Sequence, residues 1–136
     1  MSKFESSVRQ IPYPQQKVYD TLSNLENLAK IRDRIPADKL QDFSFDNDSI
    51  TVKAAPVGEI KMHIIEREEP KTIKFETEKS PVPLNFWIQL LPVTADSCKM
   101  KLTVKAELNP FIAGMVKKPL QEGIDKIADA LERISY

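Results

Sequence analysis

The chain has 136 residues, of which 41% are hydrophobic and 29% are charged. This composition excludes an intrinsically disordered chain, and the length fits one domain over residues 1–136. Twenty basic residues and twenty acidic residues cancel, so the sequence lacks the excess positive charge on which nucleic-acid binding relies. We therefore expect no nucleic-acid partner.

The sequence also bears on the cellular compartment. The N-terminal residues contain no apolar core of signal-peptide length, and no run approaches the roughly 20 apolar residues that cross a bilayer. Cys98 is the single cysteine, and one cysteine cannot form an internal disulfide. These observations predict a cytoplasmic protein without a transmembrane segment.

The beginning of the chain predicts one strand and two helices. Residues 3–11 alternate between polar and apolar side chains, as in a half-buried strand. Pro14 can open a first helix, whose apolar stripe includes Val18 and Leu22. A second short helix is expected near residues 25–34, and Pro36 ends it.

From Leu40 onward the hydrophobic period becomes two, which predicts six further strands. Their apolar positions include Phe43 and Phe45, Ile50 and Val52, Ile60 and Met62, Ile73 and Phe75, Leu84 to Leu90, and Met100 to Leu108. The connections are short, so neighbouring strands should pair antiparallel. Because each strand has one apolar face, one face of the sheet should be solvated and the other covered.

The C-terminal residues 109–134 predict one long helix that covers the sheet. Apolar residues recur every three or four positions from Ile112 to Ile134, Asn109 is a favourable N-cap, and Pro110 suits the first helical position. The helix nevertheless contains Gly114, Pro119 and Gly123. These residues are unfavourable inside helices, so we expect the helix to bend or to leave space beside it, enclosing a cavity against the sheet.

This order of elements resembles the START-like or SRPBCC superfamily, which has the helix-grip fold. The local features that carry the resemblance are the opening strand leading into residues 14–19, the end of the sixth strand at residues 88–92, and the start of the last helix at residues 108–110. Within this superfamily, the chain resembles the polyketide cyclase/dehydrase-like or the ubiquinone-binding-like branch. The resemblance implies an apolar cavity between the sheet and the last helix that holds a lipid-, isoprenoid- or polyketide-like molecule.

The predicted fold class is therefore α+β, with a curved antiparallel sheet of about seven strands around a long C-terminal helix, in the order β-α-α-β-β-β-β-β-β-α. Strand parity and the helical stripe together place a set of mostly apolar residues around the cavity. The predicted lining residues are Val52, Met62, Phe75, Phe86, Ile88, Met100, Leu102, Val104, Met115, Leu120, Gly123 and Ile127. An apolar lining with few polar groups is typical of a small-molecule pocket.

The residues that could support catalysis or metal binding do not form a recognisable set. His63 shares the parity of Glu59 and Lys61, which predicts a place on the solvated face, and Cys98 shares the parity of buried residues. One histidine and one cysteine do not supply the three or four ligands of a zinc site. We therefore predict no catalytic residue, no cofactor and no metal.

Other charged residues have ordinary interpretations. Glu66, Glu68 and Glu69 could be paired carboxylates, but Glu68 and Glu69 lie at a turn beside Arg67 and Lys71, where solvation is expected. The region of Asp46 and Asp48 lacks the glycine and glutamate of a calcium loop. Lys117 and Lys118 are expected to lie on a solvated surface of the last helix. Alternatively, they flank the mouth of the cavity and attract an anionic head group.

Three functional hypotheses follow. The first is a non-catalytic binder or carrier of a small hydrophobic molecule, opened by movement near Gly114 and Pro119. The second is an enzyme of the cyclase, dehydratase or hydrolase type, which needs Ser6, Thr77 or Tyr19 close to a buried carboxylate. The third is a protein-interaction module with a filled core, in which Trp87 on the outer face would contact a partner chain, including a second copy in a homodimer.

Overall fold

The computed structural model describes residues 2–30, 43–45, 49–54, 58–79, 83–134 and 136. The strands are β1 (Ser2–Glu5), β2 (Arg9–Ile11), β3 (Phe43–Phe45), β4 (Ser49–Ala54), β5 (Gly58–Glu68), β6 (Thr72–Lys79), β7 (Leu84–Thr94) and β8 (Ser97–Ala106). The helices are α1 (Gln15–Leu22), α2 (Leu25–Lys30) and α3 (Pro110–Glu132). None of the helices in these ranges is long and apolar enough to cross a membrane.

All strands belong to one antiparallel sheet with the order β1-β8-β7-β6-β5-β4-β3, and β2 also pairs with β8. The predicted strand over residues 3–11 is therefore interrupted, and its two halves lie along the same neighbour. Ser6 fills the interruption, because its hydroxyl accepts a hydrogen bond from the Leu102 amide at 2.9 Å. The predicted α+β architecture and element order are confirmed.

The sheet has an inner face, which α3 covers, and an outer face. In β7, Leu84, Phe86, Ile88 and Leu90 are buried, whereas the residues between them are partly exposed. The same alternation in β8 buries the even-numbered positions from Cys98 to Ala106. Period-two patterning has therefore assigned the two faces correctly in both strands.

Helix α3 begins as predicted and runs without interruption through Pro119. The Asn109 side chain accepts a hydrogen bond from the Phe111 amide at 2.9 Å, which satisfies one of the free amides of the first turn. Val116, Leu120 and Ile124 are buried against the sheet, while the Ile112 side chain lies outside the described part of the structure.

The two halves of α3 are held very differently. At the C-terminal half, the Arg9 guanidinium donates hydrogen bonds to Asp129 and Glu132, and the Tyr136 hydroxyl donates to the Leu131 carbonyl at 2.7 Å. At the N-terminal half, Phe111 is 91% exposed. Among the described residues, the side-chain hydrogen bonds that tie α3 to the rest of the fold therefore lie in its C-terminal half, whereas apolar packing of Val116 and Leu120 holds the N-terminal half.

Helices α1 and α2 close one end of the sheet. Helix α1 buries Val18, Tyr19 and Leu22, and the Arg67 guanidinium of β5 donates to the Ser23 carbonyl at 2.7 Å. Helix α2 confirms the start of the second predicted helix. Residues 31–42, which include the predicted end at Pro36, lie outside the described ranges.

Candidate functional site

A small internal space lies where the middle of α3 crosses the inner face of the sheet. Its volume is about 30 Å³. It is lined by Ile60 and Met62 of β5, Leu84 and Phe86 of β7, Val104 of β8, and Leu120, Gly123, Ile124 and Ile127 of α3. We call this space the grip cavity. A volume of this size holds one or two water-sized molecules.

The grip cavity exists because α3 carries a glycine where it faces the sheet. A Cβ atom built on Gly123 would meet nothing within 4 Å, and the same is true of Gly114 at the exposed side of the helix. The expected space beside the helix is therefore present at Gly123. The thioether of Met62 is flexible and can adapt its shape to an irregular space.

Six of the twelve predicted lining residues surround the grip cavity, namely Met62, Phe86, Val104, Leu120, Gly123 and Ile127. Phe75, Ile88, Met100 and Leu102 are buried as well but do not line the grip cavity. The Val52 side chain lies outside the described part of the structure. Periodicity identifies a buried face, but it does not say which buried residues border a void.

The expectation for Met115 is corrected, because this residue is 61% exposed. Successive residues of a helix are about 100° apart, and this step places Met115 on the side of Val116 that faces away from the buried Leu120 and Ile124. Leu84, Ile60 and Ile124 line the cavity but were not predicted. The sequence pattern could have identified all three, because each shares a strand face or a helical stripe with predicted lining residues.

All nine residues around the grip cavity are apolar. No lining side chain can donate a proton, accept one or act as a nucleophile, so the arrangement provides burial rather than acid–base chemistry. In the ranges that the structure describes, no group of three His, Cys, Asp or Glu side chains is placed to hold a metal ion.

The polar residues proposed for an enzymatic alternative do not converge. The Ser6 hydroxyl is used by Ser7 and Leu102, and the Thr77 hydroxyl accepts from the Leu84 amide at 3.2 Å. Burial raises the pKa of Tyr19, and the nearby Glu69 raises it further. Among the described residues, the buried polar side chains are serines and a threonine, with no carboxylate.

His63 and Cys98 lie where their strand parity predicted. His63 is on the outer face, where it is the register partner of Glu76 and its Nδ1 atom is 3.9 Å from Glu78. Cys98 is buried on the inner face of β8, and burial raises the pKa of its thiol. A protonated, enclosed thiol is a poor nucleophile, so Cys98 acts as a small core residue.

The remaining charged candidates are solvated. Glu66, Glu68 and Glu69 are exposed, whereas Asp46 and Asp48 lie outside the described residues. Lysines 117 and 118 are exposed as well, and the Lys118 ammonium is 4.0 Å from a Glu122 carboxylate oxygen. The alternative role of the two lysines at a cavity mouth remains a prediction.

Trp87 lies on the outer face, as predicted. The Lys74 ammonium is 5.4 Å from the centre of its ring and the Lys105 ammonium is 5.7 Å away. These cation–π contacts cover part of the indole. Trp87 therefore offers a partner chain a smaller apolar surface than an uncovered tryptophan would.

The fold has many counterparts among solved structures. A START superfamily protein from Mycobacterium smegmatis superimposes with a TM-score of 0.66 and 14% identity over 96% of this chain and 94% of the other. A protein from Thermus thermophilus superimposes with a TM-score of 0.67 and 17% identity, over 96% of this chain and 94% of the other. Norcoclaurine synthase from Thalictrum flavum superimposes with a TM-score of 0.71 and 17% identity, over 97% of this chain and 84% of the other.

These similarities establish the helix-grip fold that the element order predicted, an architecture that this chain shares with the START superfamily protein. No protein-family model matches the sequence, and no curated protein matches it. The structural similarity therefore concerns the architecture, and the function has to be argued from the residues of this chain.

Proposed function

We propose that the protein binds a small hydrophobic molecule between the inner face of the sheet and α3. The observation that carries this proposal is the entirely apolar grip cavity at the point where the helix crosses the sheet. A molecule of the lipid, isoprenoid or polyketide type would gain affinity there from removing its apolar surface from water, at roughly 25 cal/mol per Å².

The volume of about 30 Å³ means that a guest must enlarge the cavity. The N-terminal half of α3 is the element that we expect to move, because Val116 and Leu120 hold it by apolar packing, whereas the side-chain hydrogen bonds from α3 to other described elements lie at Gln121 and beyond. Pro119 has no amide hydrogen, so the helical hydrogen bond that the Met115 carbonyl would normally accept is missing in this half of the helix. We therefore propose that the helix lifts at its N-terminal half while its C-terminal half stays anchored through Arg9.

The expected affinity is modest for a small probe. A guest that buries roughly 200 Å² of apolar surface gains about 5 kcal/mol, which corresponds to roughly 0.2 mM before the costs of association and helix movement. A sub-millimolar to millimolar dissociation constant calls for a method that detects weak binding. Natural ligands with more apolar surface would bind more tightly.

Binding is favoured over catalysis because the cavity lining has no ionisable group. Norcoclaurine synthase from Thalictrum flavum has been solved in complex with dopamine and hydroxybenzaldehyde. Both are small aromatic molecules, and they guide the choice of a first probe here. A cyclase, dehydratase or hydrolase reaction in this chain would need polar groups that the grip cavity does not contain.

A second candidate function is a protein-interaction module with a filled core. The small volume of the grip cavity favours it, as do the exposed side chains of Phe111 and Met115 on one side of α3. Trp87 contributes less to this hypothesis than the sequence suggested, because two lysines lie over its ring.

A titration with benzene, followed by methyl NMR, separates the two candidates. We expect saturable shifts at the Met62, Ile124 and Ile127 methyl groups. Gly123→Ala, which places a methyl group in the cavity, should weaken binding by about tenfold or more. Gly114→Ala is the matched control and should leave binding unchanged, since Gly114 is exposed.

Absence of saturable methyl shifts up to the solubility limit of benzene would reject the binding proposal and leave the interaction module. Equal weakening by the two glycine substitutions would also count against the grip cavity as the site. The protein is further proposed to work in the cytoplasm, as the single cysteine suggests, and fractionation of host cells would test this.

A further inference from the structure

A second concave site lies on the outer face of the sheet, on the opposite side from the grip cavity. We call it the outer groove. Its volume is about 620 Å³, which falls within the usual range for small-molecule sites. Its lining residues include Val8, Lys71, Gln89, Leu91, Pro92 and Lys99.

The sheet register brings these residues together from three neighbouring strands and the β1–β2 interruption. Thr72 is opposite Gln89, and Leu91 is opposite Lys99. The pairing of β6 with β7 extends past the end of β6, because the Leu90 amide donates to the Lys71 carbonyl at 2.7 Å. The groove is therefore built on hydrogen-bonded strands.

The apolar part of the outer groove is unusually accessible. Leu91 is 63% exposed and Val8 is 57% exposed, and Pro92 lies beside them. Isolated exposed apolar residues are ordinary, but three that line one concavity form a surface that can bury an apolar chain.

The polar part of the groove consists of hydrogen-bond donors. Lys71 and Lys99 have no ion-pair partner among the described residues. The Gln89 amide oxygen accepts a hydrogen bond from the Thr103 hydroxyl at 2.8 Å, which leaves the two N–H donors of its amide nitrogen for a ligand. No lining residue is acidic.

Two nearby acidic residues are paired with other side chains, and a third does not line the groove. Glu5 accepts from the Lys101 ammonium at 2.6 Å, so Lys101 is already paired at the edge of the groove. Glu69 accepts from the Gln16 side-chain amide at 2.8 Å. Glu68 is opposite Thr72 in the sheet but does not line the groove.

We propose that the outer groove binds an amphiphilic anion, a single molecule with an apolar chain and a carboxylate-type head. The apolar chain would lie on Val8, Leu91 and Pro92, while Lys71, Lys99 and the Gln89 amide hold the head group. A concave site with two unpaired lysines at its rim suits one molecule of this kind better than a flat bilayer surface. This site goes beyond the grip cavity and does not depend on it.

The test is a titration of the full chain with decanoate below its micelle concentration, followed by backbone amide NMR. We expect saturable shifts at Val8, Thr72, Gln89, Leu91 and Lys99. Removing one lysine charge by Lys71→Gln or Lys99→Gln should weaken binding by about fivefold, and the double substitution by more than about tenfold. Raising the salt concentration should weaken binding as well.

Two controls isolate the groove. Lys105→Gln removes a charge from the same strand and the same face but outside the groove, so it should leave decanoate affinity unchanged. Gly123→Ala alters the grip cavity and should also have no effect. Decanol, which has the chain without the charge, should bind at least about tenfold more weakly.

Several results would overturn the proposal. One is that decanoate shifts only the residues of the grip cavity, and another is that decanoate does not bind saturably. A third is that Lys105→Gln and Lys99→Gln weaken decanoate binding equally. Co-sedimentation with phosphatidylglycerol vesicles that depends on Lys71 and Lys99, without decanoate binding, would assign the surface to a membrane. None of these results would follow from failure of the grip cavity alone.

Discussion

Tyr136 is the residue at which burial has its clearest electrostatic consequence. Its side chain is enclosed beneath the C-terminal end of α3, where it contacts the Tyr13 ring at a centroid distance of 5.6 Å. Burial raises the pKa of its hydroxyl, and the nearby Cys98 raises it further. The hydroxyl therefore stays protonated in the folded protein at pH values where it ionises in the unfolded chain.

This pKa shift predicts a loss of stability in alkaline solution. Above pH 10, which is the ordinary pKa of tyrosine, the unfolded chain loses the Tyr136 proton while the folded protein keeps it. The free energy of unfolding should then fall by up to about 1.4 kcal/mol per pH unit. Cys98 adds a further loss that begins near pH 9, because burial raises its pKa too.

The substitution Tyr136→Phe should reduce the alkaline slope while leaving the contributions of Cys98 and Tyr19, whose pKa values are also raised by burial. At neutral pH it should cost about 1 kcal/mol, because the hydrogen bond to the Leu131 carbonyl is lost. Urea unfolding at neutral pH and at several alkaline pH values measures both effects. Parallel pH profiles for the two proteins would show that Tyr136 is not enclosed.

Helix α3 is the element on which the proposed binding function depends. Its two glycines offer a matched pair, because a Cβ atom at either position meets nothing within 4 Å. Gly114 is exposed and Gly123 is buried at the grip cavity. A substitution by alanine therefore separates helix propensity from cavity filling.

Gly114→Ala should raise the free energy of unfolding by about 1 kcal/mol through helix propensity alone. Gly123→Ala should raise it by at least as much, because the new methyl group also gains apolar contacts. Chemical denaturation of the two variants beside the parent protein measures the difference. If Gly123→Ala destabilises the protein, the space at this position is smaller than the structure indicates.

At the element level, much of α3 could be predicted from the sequence. The N-cap at Asn109, the start at Pro110 and the buried stripe follow from short-range chemistry and a period of about 3.6. The exposure of Met115 is set by its angular position around the helix. Its residue type alone, a methionine in a buried stripe, therefore predicted the wrong orientation. Arg9 anchors the helix through Asp129 and Glu132, which lie more than one hundred positions further along the chain. No local sequence pattern predicts contacts over such a separation.

At the scale of the whole molecule, the architecture was predictable because the alternating strands leave one apolar face that only α3 is long enough to cover. The size of the grip cavity was not predictable. It depends on how closely side chains such as Phe86 and Leu120 pack, and hydrophobic patterning fixes burial without fixing the residual space. The outer groove was missed for a related reason, since Val8 and Leu91 are neighbours only in the folded sheet.

A crystal structure of the protein grown in saturating benzene tests the central claim most directly. We predict a benzene ring enclosed by Phe86, Leu120 and Ile127, with the N-terminal half of α3 displaced outward and its C-terminal half still bonded to Arg9. A grip cavity of unchanged volume without benzene, in crystals whose solvent is saturated with it, would contradict the claim that this fold opens to hold an apolar guest.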